Sequence, residues 1–381
     1  GWASSCASPQ PMAETGADLL IEGRIATLRG SVGYGWVEAL AIRDGRVVAA
    51  GARTEISTLA APGTRRWQLP TTLAVMPSFT DAHIHCASAA LGADQPELTG
   101  LDQEGVVAVI ADAHRAMLER GDEDGWLLGH GWTFAALGEH PDAAWLDEAA
   151  PGRPVALWAH DHHSRWLNAR AIQIGGLAAV GDPPAGRIER DADGRPTGVM
   201  YEAAAGLIDA CVPPATADDV DWAVGAYART LAELGVTSVH DPGGVAPDPE
   251  LRGGPIHYRD MARAGRLPLR VMASVREDQL ERAIEIGFRS GQPVEGDERG
   301  RYRDGWLKLF SDGALGSRTA ALLAPYEADD PAGPPPGGAC GMPLRTHDQL
   351  AEIAARAAEA GIASEIHAIG DGAVRTVLDV I

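Results

Sequence analysis

Lysine and asparagine are almost missing from this chain of 381 residues. All but one of its 32 basic side chains are arginine, the exception is Lys308, and Asn168 is the only asparagine. A coding bias toward Ala, Gly and Arg accounts for the background, so a residue that survives it alone invites the question of what only that side chain can do. Cysteine is scarce as well. Cys6, Cys86, Cys211 and Cys340 are scattered without C-x-x-C spacing, which argues against a disulfide framework or a thiolate zinc knuckle and fits a reducing cytoplasm. No run approaches the roughly eighteen apolar residues of a membrane span, and 45% hydrophobic with 22% charged residues is ordinary for a soluble globular protein. Cations are outnumbered: 32 Lys and Arg against 53 Asp and Glu leave a net charge of -21, so nucleic acid and acidic membrane surfaces are poor partners.

The length leaves room for two or three domains. Residues 1–16 lack a basic start and an apolar stretch; the chain begins with Gly and Met12 is an alternative start, so the segment reads as a disordered tail or non-native extension, not a signal peptide. Residues 17–75 read as a small β-sandwich part, with strands at Asp18–Gly23 and Ala39–Gly51 and an Asp44-Gly45 hairpin turn inside the second. From Leu73 onward, apolar strands alternate with amphipathic helices. The strands are expected to end at His85, Asp241, Val275, Asp312 and His367, with helices at Asp218–Leu234, Asp278–Gly287 and Thr346–Ala360. This alternation implies an α/β fold with a parallel sheet covered on both faces. Residues 125–206 are too long for one connection and read as an insertion. Residues 329–341, rich in Pro and Gly, read as an exposed excursion or a lid.

The strongest local motif is Met76-Pro-Ser-Phe-Thr-Asp-Ala-His-Ile-His. In a β-strand, residues two apart share a face, so His83 and His85 are expected to converge on one point near a strand end. Neutral imidazoles suit Zn and similar divalent ions, with Asp81 placed to orient a ring; the plainer alternative is a histidine pair on a solvent-facing edge strand. Lys308 lies among Leu307, Leu309 and Phe310, where an ammonium is costly unless paired or deprotonated. Its amine could form a Schiff base, or capture carbon dioxide as a carbamate that ligates metal; a snorkelling or ion-paired lysine is the structural alternative. His367, at the end of a further strand, is a fair third imidazole. In Trp158-Ala-His-Asp-His-His-Ser-Arg-Trp-Leu-Asn adjacent histidines diverge, so a substrate-facing loop is favoured over a second metal site. His163, Trp166 and Asn168 are its candidate contacts, against a polar turn capped by Ser164. Asp312, in the loop after the Lys308 strand, is a further candidate for touching substrate.

Together the motifs resemble the metal-dependent amidohydrolase superfamily, in its YtcJ-like, N-substituted formamide deformylase-like branch. The matches are Pro77-Ser-Phe-Thr-Asp-Ala-His-Ile-His, the His-Ser-Arg-Trp-Leu-Asn run, Gly235-Val-Thr-Ser-Val-His-Asp, Lys308-Leu-Phe-Ser-Asp-Gly-Ala-Leu-Gly-Ser-Arg-Thr and His367-Ala-Ile-Gly-Asp. They occur in family order from about residue 18 to the end, with Ser78 standing where the family usually has Gly. The resemblance implies a (β/α)8 TIM-type barrel in residues 76–381, flanked by the small β module. It implies one or two zinc or other divalent ions, with His83 and His85 on the first, a carbamate on Lys308 bridging, and His367 on the second. Metal-activated water would then attack a small-molecule amide at a non-peptide carbon–nitrogen bond. About five of the eight barrel strands are counted, and the expected sixth-strand histidine and eighth-strand aspartate lie beyond Ile381, so the sequence reads as truncated. As it stands it is expected to be poorly soluble and nearly inactive; a homodimer is an open assembly. The rival expectations are a Schiff-base lyase using Lys308 and an incomplete barrel kept as a binding or scaffold protein.

Overall fold

Alternating apolar residues and a two-residue turn shape the first sheet. The computed structural model describes residues 16–30, 33–243, 254–327 and 335–381, and the chain divides into two compact units, the second beginning at Thr80. The first unit contains β1 (Ala17–Ala26), β2 (Trp36–Arg43), β3 (Arg46–Gly51), β4 (Ala60–Gln68) and β5 (Ala74–Val75), ordered β3-β2-β1-β4 with β5 also on β1. Asp44 and Gly45 both take left-handed φ, 50° and 69°, as a hairpin turn that follows strand twist requires. Leu20, Ala39 and Ala41 pack with Ile56 of the helix Arg53–Ser57, while Ile21, Ile25, Leu40 and Leu69 form a separate cluster. Among the described residues this unit holds a single sheet. Residues 1–15 lie outside the described residues.

The boundary at Thr80 falls inside β6 (Phe79–Asp81), which is followed in the second unit by helices Cys86–Gly92 and Gln103–Glu119. A sheet of its own comes next: β7 (Leu127–Trp132), β8 (Val155–Ala159), β9 (Ser164–Leu167), β10 (Gly186–Arg190) and β11 (Pro196–Glu202), in the order β10-β11-β9-β8-β7. Both of its faces are apolar. Val155, Leu157, Trp166, Val199 and Tyr201 enter one core with Val106 and Ile110 of the long helix, and the intervening Ala156, Leu167 and Met200 enter another with Ile172 and Ile208. Every second residue thus serves a different core, which is the strand period at work.

The third sheet joins β6 to β12 (Val236–Asp241), β13 (Arg270–Arg276), β14 (Tyr302–Phe310) and β15 (Ser364–His367). Its order, β6-β12-β13-β14-β15, follows the sequence, and the pairs from β12 to β15 are parallel. Helices Ala217–Glu233, Pro255–Arg263, Leu280–Glu285 and His347–Glu359 form the crossovers. The first and last begin with capping boxes, Thr216 with Asp219 and Thr346 with Gln349, which satisfy the free N–H groups of the first turn. Val239, Val271 and Ala273 pack against Val224, Leu231 and Met261, and Leu307 and Leu309 against Leu350 and Ala357. By alternation Trp306, Lys308 and Phe310 point to the other face.

Three strand ends differ from expectation. β6 stops at Asp81, so His83 and His85 lie in the loop beyond it and the shared-face argument for a strand does not apply to them. β13 runs on to Arg276, and β14 stops at Phe310, leaving Asp312 in the following loop. Of the expected lid, residues 329–334 lie outside the described residues. Its later part is tied down: Leu322 N–H donates to Cys340 O and Tyr326 N–H to Ala339 O, both at 2.9 Å. Among the described residues the cysteines Cys86, Cys211 and Cys340 are free, and no helix is long and apolar enough to cross a membrane.

Candidate active site

The HxH pair, in the loop after β6, is held by β12, the sheet neighbour of β6. Ile84 N–H donates to His240 O at 3.0 Å, and His85, which precedes the helix Cys86–Gly92, brings Nδ1 within 2.5 Å of the Gly243 carbonyl oxygen. A carbonyl can only accept, so Nδ1 carries the hydrogen and Nε2 keeps its lone pair. The His83 and His85 rings stand edge-on, 5.8 Å apart at 90°. Burial, joined by the charges around it, pushes the His85 pKa down to about 4. His83 shifts the same way, through partial burial and then the Lys308 charge. Both imidazoles are therefore neutral near pH 7. Asp81 accepts from His83 at 3.0 Å, through the backbone N–H and not the ring.

Lys308 is 4% exposed and makes no hydrogen bond or ion pair among the described residues. Its Nζ lies 5.1 Å above the Phe310 ring, which Arg276 also approaches, at 4.8 Å. In register, Lys308 lies between Arg276 of β13 and Glu365 of β15. Burial and then Arg276 lower its pKa, against the opposing carboxylate of Glu365. Glu365 Oε1 is itself buried without a partner, as is His240 Nε2. Two positions beyond Glu365, His367 directs Nε2 to Gly313 O at 3.0 Å, and burial, with His163 and Lys308, lowers its pKa.

The insertion sheet reaches this place through His163. Its ring lies 5.2 Å from His367 and 6.5 Å from Phe310, and its Nδ1 is bound by the Glu202 carboxylate at 2.9 and 3.1 Å. Burial opposes charge on His163, but Glu202, Asp161 and Asp312 outweigh it and raise the pKa. Glu202 holds a left-handed φ of 52° at the end of β11, a conformation that costs about 1–3 kcal/mol and persists where surroundings impose it. The Glu202 carboxylate also sits against Gly313, where any Cβ would strike Glu202 Oε1 and Thr319 Oγ1. Ser164 Oγ donates to Ser317 Oγ at 2.8 Å, and Ser317 Oγ to Asp161 at 2.5 Å, binding the same loop to the insertion.

The Amidohydrolase family model matches residues 73–381. The chain belongs to the amidohydrolase family. Within the family its likeness is to the YtcJ-like branch. It is 31% identical to the YtcJ protein of Bacillus subtilis (strain 168), over 90% of this chain and 62% of that protein. It is 29% identical to the N-substituted formamide deformylase of Arthrobacter pascens, over 90% and 61%. A crystal structure of an uncharacterized metal-dependent hydrolase from Pyrococcus furiosus superposes with a TM-score of 0.65 at 27% identity, covering 95% of this chain and 69% of that one. The amidohydrolase chain thus spans 61–62% of the length of these two curated relatives.

Three sequence expectations for this amidohydrolase need correction. Trp166 is wholly buried, packed edge-on against Trp132 and Trp145 at 5.8 and 5.7 Å, so it builds the insertion core and faces no substrate. Asn168 caps the helix Ala169–Ile174: Oδ1 accepts from Ala171 and Val155 N–H at 3.0 Å, and Nδ2 donates to Arg153 O at 2.9 Å. Its need for one acceptor and one donor explains the lone asparagine structurally. Asp312 is a brace. Its carboxylate accepts from Ala321, Ile369 and Gly370 N–H at 2.8–3.0 Å, tying the loop after β14 to the loop after His367. Sequence reasoning also missed Glu202, Glu365, His240 and Asp241. Glu365 carried a signal, because it precedes His367 by the same two residues that separate His83 from His85. The structure brings His83, His85 and Lys308 to one end of the parallel sheet, together with His163 and His367.

These residues fit a divalent ion by the chemistry of their donors: neutral imidazoles, a tautomer that frees Nε2 of His85, an amine without a hydrogen bond among the described residues, and a buried carboxylate oxygen of Glu365 that nothing else satisfies. No three His, Cys, Asp or Glu among the described residues are grouped to hold an ion by themselves.

Proposed function

We propose that the chain carries the first metal-binding strands of a hydrolase that cleaves a non-peptide carbon–nitrogen bond of a small-molecule amide in the cytoplasm. β6 and β12 to β15 would be five consecutive strands of a (β/α)8 barrel, whose active sites form at the carboxyl ends of the strands. The observation that carries the reading is Lys308: buried, unpaired, level with the orphaned Glu365 oxygen and flanked by imidazoles kept neutral. His83 and His85 would hold the first of one or two ions, zinc or a similar divalent metal, and His367 the second. Lys308 would join them as a carbamate. Its neutral amine adds to carbon dioxide and releases one proton, and burial favours the neutral amine. A bound divalent ion supplies a Lewis acid for the amide oxygen and lowers the pKa of water. His163, oriented by Glu202, would hydrogen-bond the amide, with Phe310 and Arg276 walling the same space.

The test, made on the full-length protein that carries these strands, is metal content together with amine release from a panel of formamides, N-acyl amino acids and cyclic amides. Hydrolysis that needs a divalent ion and vanishes in the His83→Ala/His85→Ala variant is expected. A chain that binds no ion, or that hydrolyses amides equally well after chelation, would sink the reading. The depressed pKa of Lys308 also serves a Schiff base, so borohydride trapping is the control: a reduced adduct on Lys308 with a carbonyl substrate would favour a lyase.

A further inference from the structure

We infer that Asp241 is the positioning residue of His85: from the end of β12 its carboxylate fixes both the chain that carries the imidazole and the carbonyl that orients it. The inference rests on the reading of His85 as an ion ligand. Asp241 Oδ2 accepts from the backbone N–H of Cys86, next to His85, at 3.0 Å, from Ala87 N–H at 3.4 Å, and from the Tyr258 hydroxyl at 2.8 Å. Oδ1 accepts from Gly243 N–H at 2.9 Å, and it is the Gly243 carbonyl oxygen that lies 2.5 Å from His85 Nδ1. One oxygen therefore anchors the backbone leaving His85, and the other anchors the residue that reads its ring. Gly243 has φ +96°, and a Cβ there would press on Arg276 at 3.3 Å, so only glycine delivers its carbonyl to this point without strain.

A histidine whose second nitrogen donates to a fixed carbonyl has one tautomer and one orientation, and losing such a partner weakens metal binding by about 10–100-fold. Asparagine at position 241 would keep the shape but offers one acceptor oxygen in place of two. It can serve Cys86 or Gly243, not both.

The test uses the whole chain, with cobalt(II) as the probe ion and the His85 ring tautomer read by nitrogen NMR in the metal-free protein. Asp241→Asn is expected to lower cobalt affinity about 10–100-fold and to replace the single Nδ1–H tautomer by a mixture. Tyr258→Phe removes a donor from the same carboxylate but leaves both backbone bonds, so it should lower Tm while affinity stays within about twofold. If Asp241→Asn does not fold, Gly243→Ala displaces the same carbonyl and carries the same two expectations. Wild-type affinity and tautomer in Asp241→Asn, or in Gly243→Ala where that replaces it, would overturn the inference. So would an affinity loss in Tyr258→Phe equal to that in the position-241 variant, since a general loosening would then explain both. A wild-type chain that binds no cobalt, or binds it equally after His85→Ala, overturns the proposed function instead, and the metal-free tautomer still decides the role of Asp241.

Discussion

Two buried cations of the second unit, one beside the insertion sheet and one in the parallel sheet, are treated in opposite ways. Arg153, 1% exposed beside the insertion sheet, donates to His114 Nδ1 at 2.9 Å, to Gly125 O at 2.6 Å and to Asp122 O. Lys308, 4% exposed in the parallel sheet, has among the described residues no hydrogen bond or ion pair, and its Nζ lies over the Phe310 ring. The insertion sheet fills both faces with apolar cores and uses its arginine as a structural clamp. The parallel sheet does so toward its helices, while its other face gathers Lys308, Glu365 and His367. A buried charge without a partner is a cost to folding, so the unpaired Lys308 beside the orphaned Glu365 oxygen is what the proposed metal site would account for.

The same substitution at both cations should break the comparison most visibly. Lys308→Met is expected to abolish the proposed hydrolysis, about a thousandfold or more, since several kcal/mol of transition-state stabilisation depends on the centre it completes. Its Tm should be unchanged or higher, because no partner is stranded. A clear fall in Tm with activity kept would mean that Lys308 is structural after all. In the insertion, Trp166→Ala removes a fully buried indole and should cost about 3–5 kcal/mol, read as a lower denaturation midpoint with KM unchanged in the folded fraction. A KM shift without loss of stability would return Trp166 to the substrate. Arg153→Met strands His114 and two carbonyls, so a loss of about 2–4 kcal/mol is expected from chemical denaturation, in contrast to Lys308→Met.

Much of this contrast was legible in the sequence wherever the information is local. The Asp44-Gly45 turn, the capping at Thr346 and the succession of parallel strands all follow from residues within a few positions of one another. Lys308 announced itself by being alone in a chain that otherwise uses arginine. Asn168, equally alone, was misread for the same reason: rarity signals a need, and only the two backbone N–H groups and the Arg153 carbonyl around it show that the need is a cap. Trp166 and Asp312 stand in recurrent motifs, yet a motif does not say which way a side chain faces. Asp241 and Glu202 bond residues 155 and 39 positions away, at distances no spacing rule reaches. Asp241 acts across a strand pair, and Glu202 acts within a connection whose geometry includes a strained φ.

The smallest expected effect sharpens the comparison from the insertion side. Glu189 of β10 is held by His140 Nε2 at 2.6 Å and by the Thr197 hydroxyl at 2.8 Å. Burial works against its charge, but these two partners outweigh burial and hold the carboxyl below the ordinary glutamate value of 4.5. The folded state therefore releases this proton more readily than the unfolded chain does. Its contribution is complete above pH 4.5 and is lost as the pH falls through the lowered native value. Because His140 remains about a third exposed, the contribution is expected to be about 1 kcal/mol or less. Glu189→Gln should therefore lower Tm slightly at neutral pH, and the gap to the wild type should close on acidification. A gap that stays constant from neutral to acid pH would show that the insertion holds Glu189 by shape and not by charge, and that its polar pairs contribute packing in the same manner as its tryptophans.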